Sequence, residues 1–284
     1  MIAGYLFISG AAICWGLIGI FSSIAFSQGL SPAEVAFWRA AMAWVLFGAL
    51  AVKRREVRIE RKDAPLAALF GIMGISVFYM SYQYSVQNGG AALASVLLYT
   101  APAWVVAASF FIYREKLTFL KLISVVMVIS GVFLISRTSQ KTSTGWIAIW
   151  AGLLSGFCYS LYYTIGKYFR GRYSSATLFF WILPIGAAGI FPFVTFSHKT
   201  SVAWLALISV AVISTFAANF LYYQGLKYLE AGKASIIATL EPVIAAFTAW
   251  IVLGEYFNWV GYTGAALILT AVLITIIPKQ QKQK

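Results

Sequence analysis

Apolar residues in this chain run in unbroken blocks of about 18 to 25 positions separated by short polar stretches, a pattern that predicts long helices rather than alternating strands. Ten blocks are predicted, over residues 4–26, 32–52, 64–87, 91–113, 118–136, 145–166, 175–196, 203–225, 234–253 and 258–277. At 1.5 Å of rise per helical residue, blocks of this length match a hydrocarbon core of roughly 30 Å. A membrane β-barrel would require shorter segments in which apolar and polar side chains alternate. The fold class predicted is an all-α membrane protein with ten transmembrane helices.

Composition agrees with a chain whose solvent is lipid: 61% of its 284 residues are hydrophobic and 10% are charged, against about 25% charged in average soluble proteins. The first block has no basic region before it and continues past Trp15 without a small-residue cleavage site, so a retained span is expected rather than a signal peptide. Cys14 and Cys158 both fall within predicted spans, where two isolated thiols make neither a disulfide framework nor a metal site. No metal or other cofactor is expected. His198 is the single histidine, no predicted span contains Asp, and no nucleophile is paired with a base, so little is available for catalysis.

The net charge of +13 acquires meaning only from its placement. With the N-terminus taken as cytoplasmic, that side receives six Lys and Arg from Lys53 to Lys62, three from Arg114 to Lys121 and three from Lys167 to Arg172. It also receives Lys227, Lys233 and three in the tail. The opposite side receives only Arg137, Lys141 and Lys199, and Arg39 lies within a span. This bias predicts both termini in the cytoplasm and leaves no surplus basic patch for a nucleic acid.

A skeleton recurs at an offset of 140 residues: Tyr82, Ala94-Ser95, Pro102 and Glu115 are answered by Tyr222, Ala234-Ser235, Pro242 and Glu255. Five spans in each copy force the second to insert upside down. The predicted organisation is a first repeat over 1–136, a polar linker over 137–144, a second repeat over 145–278 and a basic tail over 279–284. Matched prolines that interrupt apolar runs in two inverted halves point to a transport site. Pro102 and Pro242 are read as hinges, because a proline removes one helical hydrogen bond and crowds the carbonyl four residues back. Glu115 and Glu255, at span ends, are read as caps or loop anchors.

Polar aromatic stripes mark three spans. Tyr79, Tyr82 and Gln83 share one helix face, their counterparts are Asn219, Tyr222 and Tyr223, and Tyr159, Tyr162 and Tyr163 repeat the spacing in the sixth span. Such groups lack partners in lipid and are expected to turn inward, either lining a cavity or gluing helices together. Tyr99, one turn before Pro102, joins the candidate cavity residues. Glu241 is the only carboxylate placed deep within a span, where ionised carboxylates cost roughly 2.5–3.5 kcal/mol on insertion scales. It is read as attracting a substrate ammonium or carrying a proton, or as supporting backbone opened by Pro242, whose missing N–H frees the Ala238 carbonyl. Arg39 is its candidate ion-pair partner.

The segments Tyr99-Thr100-Ala101-Pro102 followed by Arg114-Glu115-Lys116, and Leu240-Glu241-Pro242-Val243 followed by Leu253-Gly254-Glu255, resemble the paired signatures of the EamA family of the drug/metabolite transporter superfamily. Cys14-Trp15-Gly16 and Trp38-Arg39-Ala40 are similar to further positions of that family, and among its branches the chain most resembles the YddG-type exporters of aromatic amino acids. The resemblance implies two inverted five-helix repeats around a central cavity in a bacterial plasma membrane. It also implies a carrier that moves amino acids or related metabolites outward, with no required protein partner. Trp15 and the tyrosines would then stack on a substrate ring and attract its ammonium. A carrier for threonine-like amino acids, nucleosides or cationic drugs is the alternative.

Overall fold

A computed structural model of the protein describes residues 2–101, 103–104, 107, 119–136, 144–169, 171–229, 234, 237–238 and 240–276. Among these, all regular structure is helical. Helices α1 (Ile2–Gly16), α2 (Ile18–Ser27), α3 (Pro32–Arg54), α4 (Ala64–Gly71), α5 (Phe78–Gly89), α6 (Ala91–Leu98) and α7 (Phe119–Ser136) precede α8 (Thr144–Phe169), α9 (Ser175–Ile190), α10 (Ser201–Ala211), α11 (Ala218–Gly225), α12 (Leu240–Leu253) and α13 (Trp259–Ile276). Among the described residues, six helical stretches are long and apolar enough to cross a membrane: Ile2–Ser27, Pro32–Arg54, Ala64–Gly89, Gly145–Tyr162, Ser175–Phe193 and Ser201–Gly225. Leu122–Leu134, Leu240–Leu253 and Trp259–Ala271 are shorter apolar helices.

Helix ends follow local chemistry. Ser31 caps α3 by accepting the Glu34 N–H, with Pro32 in the first turn, where a missing N–H costs nothing. Ser174 and Thr200 cap α9 and α10 in the same way, through Thr177 N–H and Ala203 N–H. The seventh apolar block was expected to reach residue 196, but Pro192 sits in a 3₁₀ turn, Phe191–Phe193, that ends the helix earlier; Pro184 lies inside α9. Gly90, at φ +89°, turns the chain between α5 and α6 in a conformation that favours glycine.

Two irregularities recur at the offset seen in the sequence. A π-helical segment, Ile72–Val77, joins α4 to α5, and a second, Val212–Ala217, joins α10 to α11, 140 residues further on. Runs of this kind are rare within helices and are frequent at functional sites. Side chains from other helices reach both segments: the Tyr162 hydroxyl donates to the Gly74 carbonyl and Arg39 Nε donates to Thr215 Oγ1.

The packing exchanges under a swap of the two halves. α5 packs on α8 as α11 packs on α1, and α6 on α8 as α12 on α1, while α3 packs on α9, α6 on α12 and α7 on α13. The last pair approaches closely because it meets at glycines: a methyl group at Gly131 would stand 2.6 Å from the Gly264 carbonyl oxygen. Inward faces carry Tyr79, Tyr82, Phe47, Phe70 and Phe179, all nearly inaccessible. Outward faces expose Trp146, Trp150, Trp250 and Trp259, the surface expected of a protein solvated by lipid.

Candidate functional site

The centre of the molecule holds a cavity of about 90 Å³ lined by Trp15, Ile18, Arg39, Phe78, Tyr79, Tyr82, Leu98, Tyr159, Tyr162, Asn219, Tyr222, Tyr223, Leu226 and Glu241. The wall draws on α1, α2, α3, α5, α6, α8, α11 and α12, so its residues come from both ends of the sequence. Ten of the side chains singled out from the sequence meet there: Trp15, Tyr79, Tyr82, Tyr159, Tyr162, Asn219, Tyr222, Tyr223, Glu241 and Arg39. Phe78, Ile18, Leu98 and Leu226, whose apolar types carry no polar signal, complete the wall. The side chain of Tyr163 and the hinge candidate Pro102 lie outside the described residues.

Aromatic rings form most of the surface. Trp15 and Tyr222 have centroids 5.2 Å apart, Phe78 stacks on Tyr159 at 5.7 Å, and Tyr222 meets Tyr223 edge-on at 6.1 Å. These rings share the wall with Arg39 and Glu241.

Arg39 and Glu241, a candidate ion pair from the sequence, line the same cavity without forming one; the ion pairs among the described residues are Lys62–Glu60, Arg172–Asp63 and Lys199–Glu34. Each is instead held by neighbours. Arg39, 3% exposed, donates from Nε to Thr215 Oγ1 at 2.8 Å, and its guanidinium carbon lies 3.9 Å from the centroid of the Tyr79 ring. Its Nη1 is buried and has no hydrogen-bond partner among the described residues. Glu241, 2% exposed, faces the Tyr99 hydroxyl at 3.1 Å.

Tyr99 and Gln83 do not belong to the wall. The Tyr99 hydroxyl donates to the Ala238 carbonyl at 2.5 Å, the group that Pro242 leaves without its usual helical donor, so Tyr99 braces this backbone and the adjacent carboxylate together. Pro242 is the third residue of the helical stretch Leu240–Leu253, and Ala238, four residues before it, is also helical. Gln83 is fully buried on α5, one turn from Tyr79, and its amide oxygen and nitrogen have no partner among the described residues.

Glu255 occupies a capping position. Its Oε2 accepts the Ala91 N–H at 2.8 Å and the Ala92 N–H at 3.4 Å, neutralising the positive end of α6. The absence of a side chain at Gly90 makes room, since a Cβ there would lie 2.7 Å from this oxygen. Its counterpart Glu115 lies outside the described residues.

Sequence reasoning missed a second buried carboxylate. Glu34, on the first turn of α3, is fully buried and pairs with Lys199 Nζ at 2.6 Å while accepting the Ser197 hydroxyl at 2.7 Å. Trp38, Phe196 and Trp204 surround the ammonium at 5.5 to 5.6 Å. Glu34 follows a proline at a span boundary, a place that gives no hint of burial. At the other end of α3, Asp63 accepts the hydroxyls of Tyr168 and Tyr173, each at 2.7 Å. These bonds, that from Tyr173 foremost, hold the Asp63 carboxyl below its ordinary range, and Arg172 adds to the effect.

Long apolar helices that expose tryptophans to lipid and enclose a charged, aromatic cavity define a multi-pass membrane transport protein. Comparison with protein families matches the EamA-like transporter family over residues 2–137 and again over 146–277. The chain belongs to that family. It is 28% identical over 92% of its length to an uncharacterized transporter of Archaeoglobus fulgidus, of which the match covers 94%. It is 24% identical to the uncharacterized inner membrane transporter YicL of Salmonella typhimurium, over 99% of this chain and 97% of that one. A protein crystal structure with 15% sequence identity shares the fold at a TM-score of 0.67, covering 95% of each chain.

Proposed function

We propose that this transporter is a carrier exporting amino acids, aromatic ones foremost, by alternating access. In this reading the chain forms ten transmembrane helices as two inverted five-helix repeats, 1–136 and 145–278, which rock about a site near the midplane. Pro102 and Pro242 serve as pivots. Both termini face the cytoplasm of a bacterium, in keeping with the basic residues gathered on one side and with the inner-membrane designation of the Salmonella relative.

The observation that carries the proposal is the make-up of the cavity, where Arg39, Glu241 and at least five aromatic rings converge from both halves. Such a wall suits a solute with two charges and a flat apolar side chain. An exporter of cationic drugs or other metabolites is the alternative; Glu241 favours a cation, whereas the buried charge of Arg39 opposes one.

Efflux from proteoliposomes preloaded with a panel of amino acids, nucleosides and cationic drugs tests the choice. The proposal predicts saturable efflux of phenylalanine, tyrosine or tryptophan above that of the other solutes. Preferential efflux of cations lacking a carboxylate contradicts it. Repeating the measurement with and without a pH gradient decides whether a proton moves with the substrate.

A further inference from the structure

We infer that Arg39 is the residue that binds the substrate's carboxylate, through its Nη groups, and that Thr215 in the second π-helical segment is the positioning residue that aims it. This deepens, and rests on, the reading of the cavity as an amino-acid site.

A guanidinium remains protonated at any physiological pH, so its charge cannot be removed by deprotonation when it is buried. Removing such a charge from water without a counterion is costly, and the usual remedy is a carboxylate. Among the described residues Arg39 forms no ion pair: Glu241 shares its cavity but does not pair with it, and Glu34 is already engaged by Lys199. The guanidinium is nevertheless fixed. Its Nε is committed to Thr215 Oγ1, and that hydroxyl donates in turn to the Val210 carbonyl at 2.9 Å, which settles its lone pairs toward the arginine. Tyr79 holds one face of the guanidinium plane. What remains, among the described residues, are the two Nη groups, of which Nη1 is buried and without a partner, on a side chain that lines the cavity.

A donor that is preorganised, charged and unsatisfied is complementary to an anion, and a planar carboxylate matches guanidinium geometry best. Glu241, also on the wall, offers the complementary interaction to an ammonium. The ligand class defined by both charges and the rings is a zwitterionic α-amino acid with an apolar side chain. Because the Arg39 anchor belongs to the π-helical segment, a bound carboxylate is linked through one hydroxyl to a backbone irregularity in the second half.

The test uses the purified full-length protein in lipid nanodiscs, with binding read by tryptophan fluorescence. Three ligands separate the parts: phenylalanine, phenethylamine, which lacks the carboxylate, and 3-phenylpropionate, which lacks the ammonium. The wild type is expected to prefer phenylalanine over phenethylamine by about tenfold or more, the scale of a charge-assisted hydrogen bond. Arg39→Gln should abolish that preference, and Thr215→Val should weaken phenylalanine binding while leaving phenethylamine unchanged, which a general loss of folding would not do. Equal wild-type affinity for phenylalanine and phenethylamine overturns the role of Arg39 and leaves the amino-acid reading standing. Binding of 3-phenylpropionate, but not phenylalanine, in an Arg39-dependent manner supports the carboxylate site and overturns the amino-acid reading. Absence of binding by all three ligands overturns both. The wild-type comparison decides the matter even if Arg39→Gln does not fold.

Discussion

Tyr99 illustrates how a single hydroxyl serves two masters in a low-dielectric interior, where an unpaired carbonyl is costly. It supplies the donor that Pro242 cannot, and it lies within reach of Glu241. Replacing Tyr99 with Phe keeps the ring and removes only the hydroxyl, so the Ala238 carbonyl is left unpaired at a cost of about 1 kcal/mol. A lower melting temperature in detergent is expected, and an unchanged one would show that the carbonyl finds another donor. The stripes of Tyr79, Tyr82, Asn219 and Tyr222 were legible in the sequence because helical periodicity places polar residues on one face and lipid forbids that face to point outward. The bracing role of Tyr99 was not, since it depends on which carbonyl of a distant helix comes near. The same limit explains Arg39 and Glu241: charge in a span is visible in sequence, whereas pairing is a matter of ångströms.

At the scale of elements, the glutamate that ends the ninth apolar block was readable as a cap or anchor, but its target was not. Glu255 caps α6, far away in the chain, through Ala91 and Ala92. Losing a cap of this kind costs about 1 kcal/mol. Glu255→Ala should therefore destabilise the protein by about that amount, and Gly90→Ala should do so more severely because a Cβ there meets the carboxylate and φ is positive. Melting curves of the two variants check the order; a Gly90→Ala protein as stable as wild type would contradict it. The paired π-helical segments could not be read in advance. Their residues, Ile72–Val77 and Val212–Ala217, are mostly apolar, with Ser76, Ser214 and Thr215 among them, and continuous with helix on both sides, and no composition distinguishes an i→i+5 turn from an i→i+4 one. Only their recurrence at the repeat offset marks them as part of the design.

Across the whole molecule, two clasps hold opposite ends of the α3–α9 pair: Glu34 with Lys199 at one end, Asp63 with Tyr168 and Tyr173 at the other. Neither was visible in the sequence, because each joins residues more than 100 positions apart. The Asp63 clasp carries a pH signature. A carboxyl held below its ordinary range in the folded state contributes stability that is present above the unfolded value and disappears as pH falls through the folded one. Wild-type protein should therefore lose part of its melting temperature on acidification below the ordinary carboxylate range, and Asp63→Asn should lose less. Identical acid profiles would contradict that assignment.

The central claim, that side chains from both halves of the chain build one amino-acid site, is tested most directly by counterflow of labelled phenylalanine into proteoliposomes. Wild-type protein is predicted to show saturable exchange, and Tyr82→Ala and Tyr222→Ala are each predicted to reduce it at least about tenfold at equal reconstitution, as expected when a stacking surface is removed. Exchange undiminished in both variants, or none in the wild type above empty liposomes, would contradict the account.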